Sequence, residues 1–237
     1  MYVLAHRGYS GKAPENTMAA FELAVKSGAD GLELDVHITK DGEVVVIHDD
    51  TVDRTTDGTG RVEDYTYEEL LKFDAGSWFG EEFKGERLPT LADVCEIVKG
   101  TDLIFNVELK AGVNFQALTE KVSDLINKYD LVSNTIISSF NHYALAYSKQ
   151  VNPDLRTAIL YSAALYAPWE YVKMIGATAL HPKHLTVVPF IVEEAHKNGL
   201  MVNPYTVDEP HDVDRMVKAG VDSVITNQVT RVKNLLK

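Results

Sequence analysis

Along the chain, short runs rich in Val, Ile, Leu and Tyr alternate with longer stretches whose apolar residues fall three and four positions apart. The first pattern is that of buried strands, the second that of amphipathic helices. Strands are predicted at Tyr2–His6, Gly31–Val36 with a continuation Val44–Ile47, Leu103–Glu108, Thr135–Ser139, Leu155–Leu160, Thr178–Leu180, Leu200–Asn203 and Ser223–Thr226. Helices fill the gaps, for example Thr17–Ser27, Leu91–Lys99, Phe115–Tyr129, Pro189–Lys197 and Val213–Ala219. Gly176 and Gly220 each follow a helical stretch and precede an apolar run, the place where glycine caps a helix in the left-handed conformation. Eight strands alternating with helices predict an α/β fold, a (β/α)8 TIM barrel, with a doubly wound open sheet as its rival.

One segment breaks the rhythm. Residues 51–87 are polar, rich in Gly and acidic residues, and hold only a short helical piece near Tyr67–Phe73. A connection this long is expected to be a lid or a small insertion. Residues 1–237 are therefore expected to form a single barrel domain with an insertion after the second strand region. The stretch DGTGR inside it resembles a nucleotide loop. No Gly-Lys-Ser/Thr follows, however, so a tight turn is expected.

Composition narrows the function. With 45% hydrophobic and 24% charged residues the chain is an ordinary globular one, and no apolar run approaches the ~18 residues of a membrane span. The start, YVLAHRG, shows no leader, and Cys95 is the only cysteine, so a cytoplasmic protein without disulfides is expected. A net charge of -12 disfavours nucleic acid or an anionic bilayer as partner. An anionic substrate would have to meet a local cluster of positive charge.

Such a cluster lies at the C-terminal ends of the predicted strands, where a parallel barrel carries its chemistry. His6 and Arg7 end the first strand, Glu33 and Asp35 the second, His48 the run VVVI, and Glu108 and Lys110 the run LIFNVELK. Spacing of i, i+2 puts Glu33 beside Asp35 and Glu108 beside Lys110 on one face. Three carboxylates at one mouth raise one another's pKa unless a cation neutralises them. Oxygen donors without cysteine suit a hard divalent ion, Mg2+ or Ca2+. The plainer alternative is a set of structural ion pairs with Arg or Lys. Two histidines beside three acids weigh toward the metal.

His6, His48, Arg7 and Lys110 around such an ion describe a site for an anion at which protons move. Phosphodiester hydrolysis needs a base for the attacking hydroxyl and an acid for the leaving alkoxide, which two histidines supply near neutral pH. Arg7 and Lys110 would hold the phosphoryl oxygens. His37 shares the parity of Glu33 and Asp35 and raises the prospect of an iron site. It falls where the strand gives way to KDGE, so an exposed residue is expected instead. His142, His184, His196 and His211 are expected to be packed or surface residues; His181 is either that or a wall of the substrate pocket.

The stretches AHRG, PENT, ELDV, TKDGEVVVIHD, DRTTDGTG, DAGSWF, GERLPTL and NVELK resemble, in order and spacing, the glycerophosphodiester phosphodiesterase family. The likeness spans essentially the whole chain and is densest up to Lys110. It implies the barrel shared with phosphatidylinositol-specific phospholipases C and sphingomyelinase D. It also implies His6 and His48 as the acid/base pair, Glu33, Asp35 and Glu108 as metal ligands, and Arg7 and Lys110 as phosphate contacts. Glu15 matches a family site residue of unassigned role, and DAGSWFGEEFKGERLPTL matches an insertion that shapes the glycerol end of the pocket. Tyr205 stands where the family often has tryptophan, and Asn227 where it often has aspartate. Both are expected to bear on alcohol specificity and to lie outside the metal and histidine set.

The expected activity is metal-dependent hydrolysis of glycerophosphodiesters to sn-glycerol 3-phosphate and an alcohol. One divalent cation is the expected cofactor and a small molecule the expected partner, with no nucleic acid and no stable membrane insertion; oligomeric state is left open. Two alternatives are hydrolysis of lysophospholipids, as by a lysophospholipase D, and a phosphate-binding module without turnover. The second would be expected to lack a histidine or a ligand, and all five are present.

Overall fold

The structure, a computed structural model, describes residues 1–112 and 115–237. Its strands are β1 (Tyr2–His6), β2 (Gly31–Ile38), β3 (Val44–Val46), β4 (Ile104–Leu109), β5 (Thr135–Ser139), β6 (Arg156–Tyr161), β7 (Ala179–Pro182), β8 (Met201–Val202) and β9 (Ser223–Thr226). Its helices are α1 (Met18–Lys26), α2 (Tyr67–Leu70), α3 (Leu91–Val98), α4 (Phe115–Lys128), α5 (His142–Val151), α6 (Pro168–Ile175), α7 (Pro189–Lys197), α8 (Pro210–Ala219) and α9 (Val229–Leu235).

Eight of the strands are parallel and follow the order β8-β7-β6-β5-β4-β2-β1-β9. The two ends of this path meet: the Asp222 N–H donates to the Val202 carbonyl (3.1 Å) and the Ile225 N–H to the Pro204 carbonyl (3.0 Å). The sheet closes on itself, so the molecule is a (β/α)8 barrel and not an open doubly wound sheet. Gly31 opens β2 because a Cβ there would lie 2.4 Å from the Ile104 carbonyl oxygen on the neighbouring strand.

Strand alternation sorts the side chains. Val3, Ala5, Leu32, Leu34, Val36, Phe105, Val107 and Leu109 pack in one core with the buried faces of the helices. Each of the Val, Leu and Phe side chains among them contributes roughly 1.5–3 kcal/mol by leaving water. Ile136, Ala158 and Ala179, with Ile104 and Met201, form a separate apolar cluster inside the barrel. Helices α1, α2, α3 and α5 start on polar caps. Thr17 accepts from the Ala20 N–H ahead of α1, and Thr90 and Asp93 form a capping box at α3. Gly176 and Gly220 close α6 and α8 with φ of 74° and 79°, as their position in the sequence implied.

Three expectations are corrected. Val44–Ile47 does not continue β2; β3 turns back antiparallel on it, with His37 opposite Val45. The cause is the turn KDGE, where Gly42 takes a φ of 83°. β2 thus overruns the barrel and β3 returns, so the Ile47 N–H donates to the Asp35 carbonyl (3.0 Å). His48 therefore reaches the mouth from a hairpin, not from a barrel strand. The helical piece of the insertion is also shorter than expected, ending at Leu70. Val52, Val62, Leu70, Ala75 and Leu88 of this region pack with Val45 and Ile47 into a small core of their own. DGTG is not itself the tight turn expected. It lies on the returning side of a loop closed by the Thr51–Arg61 β-bridge and by the Val52 N–H donating to the Gly60 carbonyl (3.0 Å). The turn falls at residues 53–55. Among the described residues no helix is long and apolar enough to cross a membrane.

Candidate active site

Strand register assembles the acids. His6 pairs with Glu33 across β1 and β2, and Asp35 pairs with Glu108 across β2 and β4. Glu33, Asp35 and Glu108 are all buried, and one carboxylate oxygen of each lies within 4.8 Å of the others.

The loop after β1 holds this cluster in place. Arg7 has a φ of 55° and Asn16 of 58°, a left-handed backbone that residues other than glycine seldom adopt. The turn aims the Arg7 N–H at Glu33 Oε2 (2.9 Å), and the Arg7 side chain brings Nε within 3.4 Å of Asp35 Oδ2. Asn16 clamps Asp35 from both sides: its Nδ2 donates to Oδ2 (2.9 Å), and its Oδ1 accepts from the Asp35 N–H (3.4 Å). Glu15 accepts from Arg7 (2.8 Å) and from Arg54 (2.8 and 3.0 Å), and Arg54 also donates to Asp49 (2.6 and 3.1 Å). Through these bonds Glu15 ties the β1 loop to the insertion.

Charge in the cluster does not balance. Lys110 Nζ donates to Glu108 Oε1 (2.7 Å) and lies 3.3 Å from Asp35 Oδ1. The ion pairs of the plainer sequence reading thus exist, yet three carboxylates face two cations, one of them shared with Glu15. Burial, then the charges of Asp35 and Glu108, push Glu33 well above the usual carboxylate range. Burial and then Asp35 push Glu108 up to about 7, against the pull of Lys110. Burial opposes the charge of Asp35 as well, but Lys110 and Arg7 hold it down to about 2. Among the described residues Asp35 Oδ1 accepts no hydrogen bond. Excess buried negative charge, an unsatisfied acid oxygen and oxygen-only donors are what a hard divalent cation fits.

Both histidines line the same cavity, and in each ring Nδ1 is engaged, leaving Nε2 for the cavity. His6 Nδ1 lies 2.7 Å from Asn227 Oδ1, and His48 Nδ1 lies 2.5 Å from Asp49 Oδ1. Burial, then Arg7, pulls His6 down to about 4; burial is also the main force lowering His48. The cavity has a volume of about 160 Å3, and its walls include His6, Arg7, Glu33, His48, Glu108 and Lys110. Asp35 lies behind them, against Arg7 and Lys110.

Two sequence expectations change here, for His37 and Asn227, and the open reading of His181 closes. His37 is half-buried, not exposed, and its Nε2 lies 3.2 Å from the His48 carbonyl, where it braces the hairpin. His181 is fully buried, with Nε2 accepting from Asn203 Nδ2 (3.0 Å), and burial pulls it down to about 3. It packs inside the barrel and is not among the cavity walls. Asn227 does belong with the histidine set, since it bonds His6 directly. His142, His184 and His196 are tied to Tyr171, Asp212 and Asp222, and His211 is exposed, as expected. Asn16, Arg54, Asp49 and Asp208 were missed. Each lies in or beside a stretch already noticed: PENT, DRTT and VVVIHD for the first three, and for Asp208 the stretch VNPYTVD that carries Tyr205.

Fold and mouth together define a class: a (β/α)8-barrel enzyme of phosphoester chemistry. The model of the Glycerophosphoryl diester phosphodiesterase family matches residues 6–231, and the chain belongs to that family. It is 48% identical to a glycerophosphodiester phosphodiesterase of Caldanaerobacter subterraneus subsp. tengcongensis, over 99% of this chain and 97% of the relative. It is 39% identical to a glycerophosphodiester phosphodiesterase of Bacillus altitudinis, over 95% of this chain and 94% of the relative. Among solved structures, an Oleispira antarctica phosphodiesterase in complex with the product sn-glycerol-3-phosphate superposes with a TM-score of 0.94. That pair shares 30% identity, over 100% of this chain and 96% of the other.

Proposed function

We propose that the chain hydrolyses glycerophosphodiesters to sn-glycerol 3-phosphate and an alcohol with one divalent cation, Mg2+ or Ca2+. Glu33, Asp35 and Glu108 would hold the cation, which would supply charge to the phosphoryl oxygens when bound. Arg7 and Lys110 orient the phosphate beside it and oppose the charge that builds there in the transition state. His6 and His48 move the protons, one taking a proton from the attacking hydroxyl and the other giving one to the leaving alkoxide. The observation that carries this reading is the shared cavity: both histidines, Arg7, Lys110 and two of the acids open onto one small space.

A second reading, hydrolysis of lysophospholipids, draws on the rim. Phe140, Tyr143, Tyr166, Leu185 and Phe190, in the segments that follow β5, β6 and β7, are all exposed, and Phe140 meets Tyr205 edge-on at 6.0 Å. The cavity itself is small beside the roughly 300–1,000 Å3 of pockets for drug-sized ligands, which favours a deacylated substrate. The deciding experiment measures product release from glycerophosphocholine, glycerophosphoethanolamine and a lysophosphatidylcholine, with chelator and with added cation. Turnover of the first two that stops with chelator supports the proposal. Turnover of the lysolipid alone, or indifference to chelator, sinks it.

A further inference from the structure

We propose that Asn227 and Asp208 are positioning residues for His6, fixing its ring with the proton on Nδ1 and the lone pair on Nε2. The inference rests on the reading of His6 as a proton-transfer group, and it adds which tautomer the fold selects and how.

The deduction runs along three side chains. His6 Nδ1 lies 2.7 Å from the side-chain oxygen of Asn227. The two ends of an amide are told apart by their partners, and the far end decides here. Asn227 Nδ2 donates to Asp208 Oδ2 at 2.7 Å, and an ionised carboxylate only accepts. The oxygen end must therefore face His6, and an amide oxygen cannot donate. Nδ1 of His6 has to be the donor. The lone pair is left on Nε2, which lies 4.0 Å from Glu33 Oε2 at the acid cluster.

The rest of the constellation keeps the relay from turning. The Thr226 hydroxyl and the Asn227 N–H, each at 2.8 Å, donate to Asp208 Oδ1, so the carboxylate cannot swing away. The Ser10 hydroxyl lies 2.8 Å from both Asn227 Oδ1 and the His6 carbonyl, two acceptors that share its single hydrogen. Asn227 follows β9 and His6 ends β1, and these strands are laddered neighbours, so the relay is anchored on the barrel wall.

Aspartate at position 227 would also accept from His6, but it would face the Asp208 carboxylate across 2.7 Å. The asparagine of this chain is thus matched to Asp208. The charge stands one residue further from the imidazole, and the amide passes on the orientation without the charge.

The test uses the full-length protein, with 15N shifts of the imidazole of His6 and steady-state kinetics on glycerophosphocholine under saturating cation. Wild type should show the Nδ1–H tautomer. Asn227→Leu and the single change Asp208→Asn should each admit the Nε2–H tautomer and lower kcat by roughly 10–100-fold, with KM within about twofold. Asn227→Asp alone should lose activity, and the double change Asn227→Asp with Asp208→Asn should recover most of it. An unchanged His6 tautomer in both Asn227→Leu and Asp208→Asn overturns the inference, as does a double variant no better than Asn227→Asp. Should one single variant fail to fold, the other carries the same readout. Undiminished kcat in His6→Ala would instead sink the catalytic reading, and the imidazole shifts would still judge the positioning.

Discussion

Inside one end of the barrel the strands present Ile104, Ile136, Ala158, Ala179 and Met201; further along, β4 and β5 present Glu108 and Ser138. At the first end the side chains are apolar and packed. The recess outside it, lined by Met1, Tyr2, Leu4, Ile136 and Met201 among others, is the larger of the two at about 940 Å3. The C-terminal mouth encloses only about 160 Å3, yet it holds the excess charge, the bonded histidines and the wall residue Arg7 in its left-handed conformation. Volume alone points to the other end. The candidate site sits where the backbone is under local strain and where burial acts against charge, while the other end is apolar and packed.

This division can be broken at either end. Glu108→Ala should have the largest effect, a loss of kcat of about 10³-fold or more, because it removes a proposed cation ligand and the partner of Lys110. The cation-free protein should melt no lower, since the change relieves repulsion among buried acids. A melting temperature that falls along with intact activity would reverse the assignment of the two ends. His48→Ala should follow, with kcat down by about 10²–10⁴-fold and a far-UV spectrum like that of wild type. Equal rates for wild type and variant would take His48 out of the proposal.

The acid cluster also predicts how cation binding varies with pH. Glu108 is pushed up to about 7, so below that value it carries a proton that the cation must displace. Lowering the pH through 7 therefore weakens binding, by about tenfold per unit for each proton released, and Glu33, raised as well, adds to the loss. Calorimetric titration with Mg2+ or Ca2+ from pH 5.5 to 8 measures this slope. Affinity that is flat, or that rises in acid, contradicts the ligand set. Smallest in its effect on turnover is Ile136→Ala, at the apolar end. It should cost about 2–5 kcal/mol of stability in denaturant unfolding, while kcat per folded molecule stays within about twofold.

Much of the barrel was legible locally. β1, β5 and β9 fall where the apolar runs predicted them, and α7 spans its predicted residues. The ends of β7, β8 and α8 shifted by up to three residues, since pairing and helix entry at Pro210, not hydrophobicity, set those limits. All seven candidate site residues were named from strand-end position, and the structure gathers them at one mouth. The failures share a cause. His37 looked exposed because the turn after it was taken as the end of pairing, when it was the tip of a hairpin. Asn227 looked peripheral because its partner lies 221 positions away.

The sequence by itself determined what depends on neighbours in the chain. A two-residue strand period sets Glu33 beside Asp35 and Glu108 beside Lys110, and threonine and glycine mark helix ends, wherever those segments come to lie. Only the tertiary structure decided what faces what: Asp35 against Glu108, His48 brought back by β3, and Asn227 between His6 and Asp208. Those meetings depend on sheet register and on closure of the barrel, which are set by the packing of the whole chain and leave no trace in local spacing.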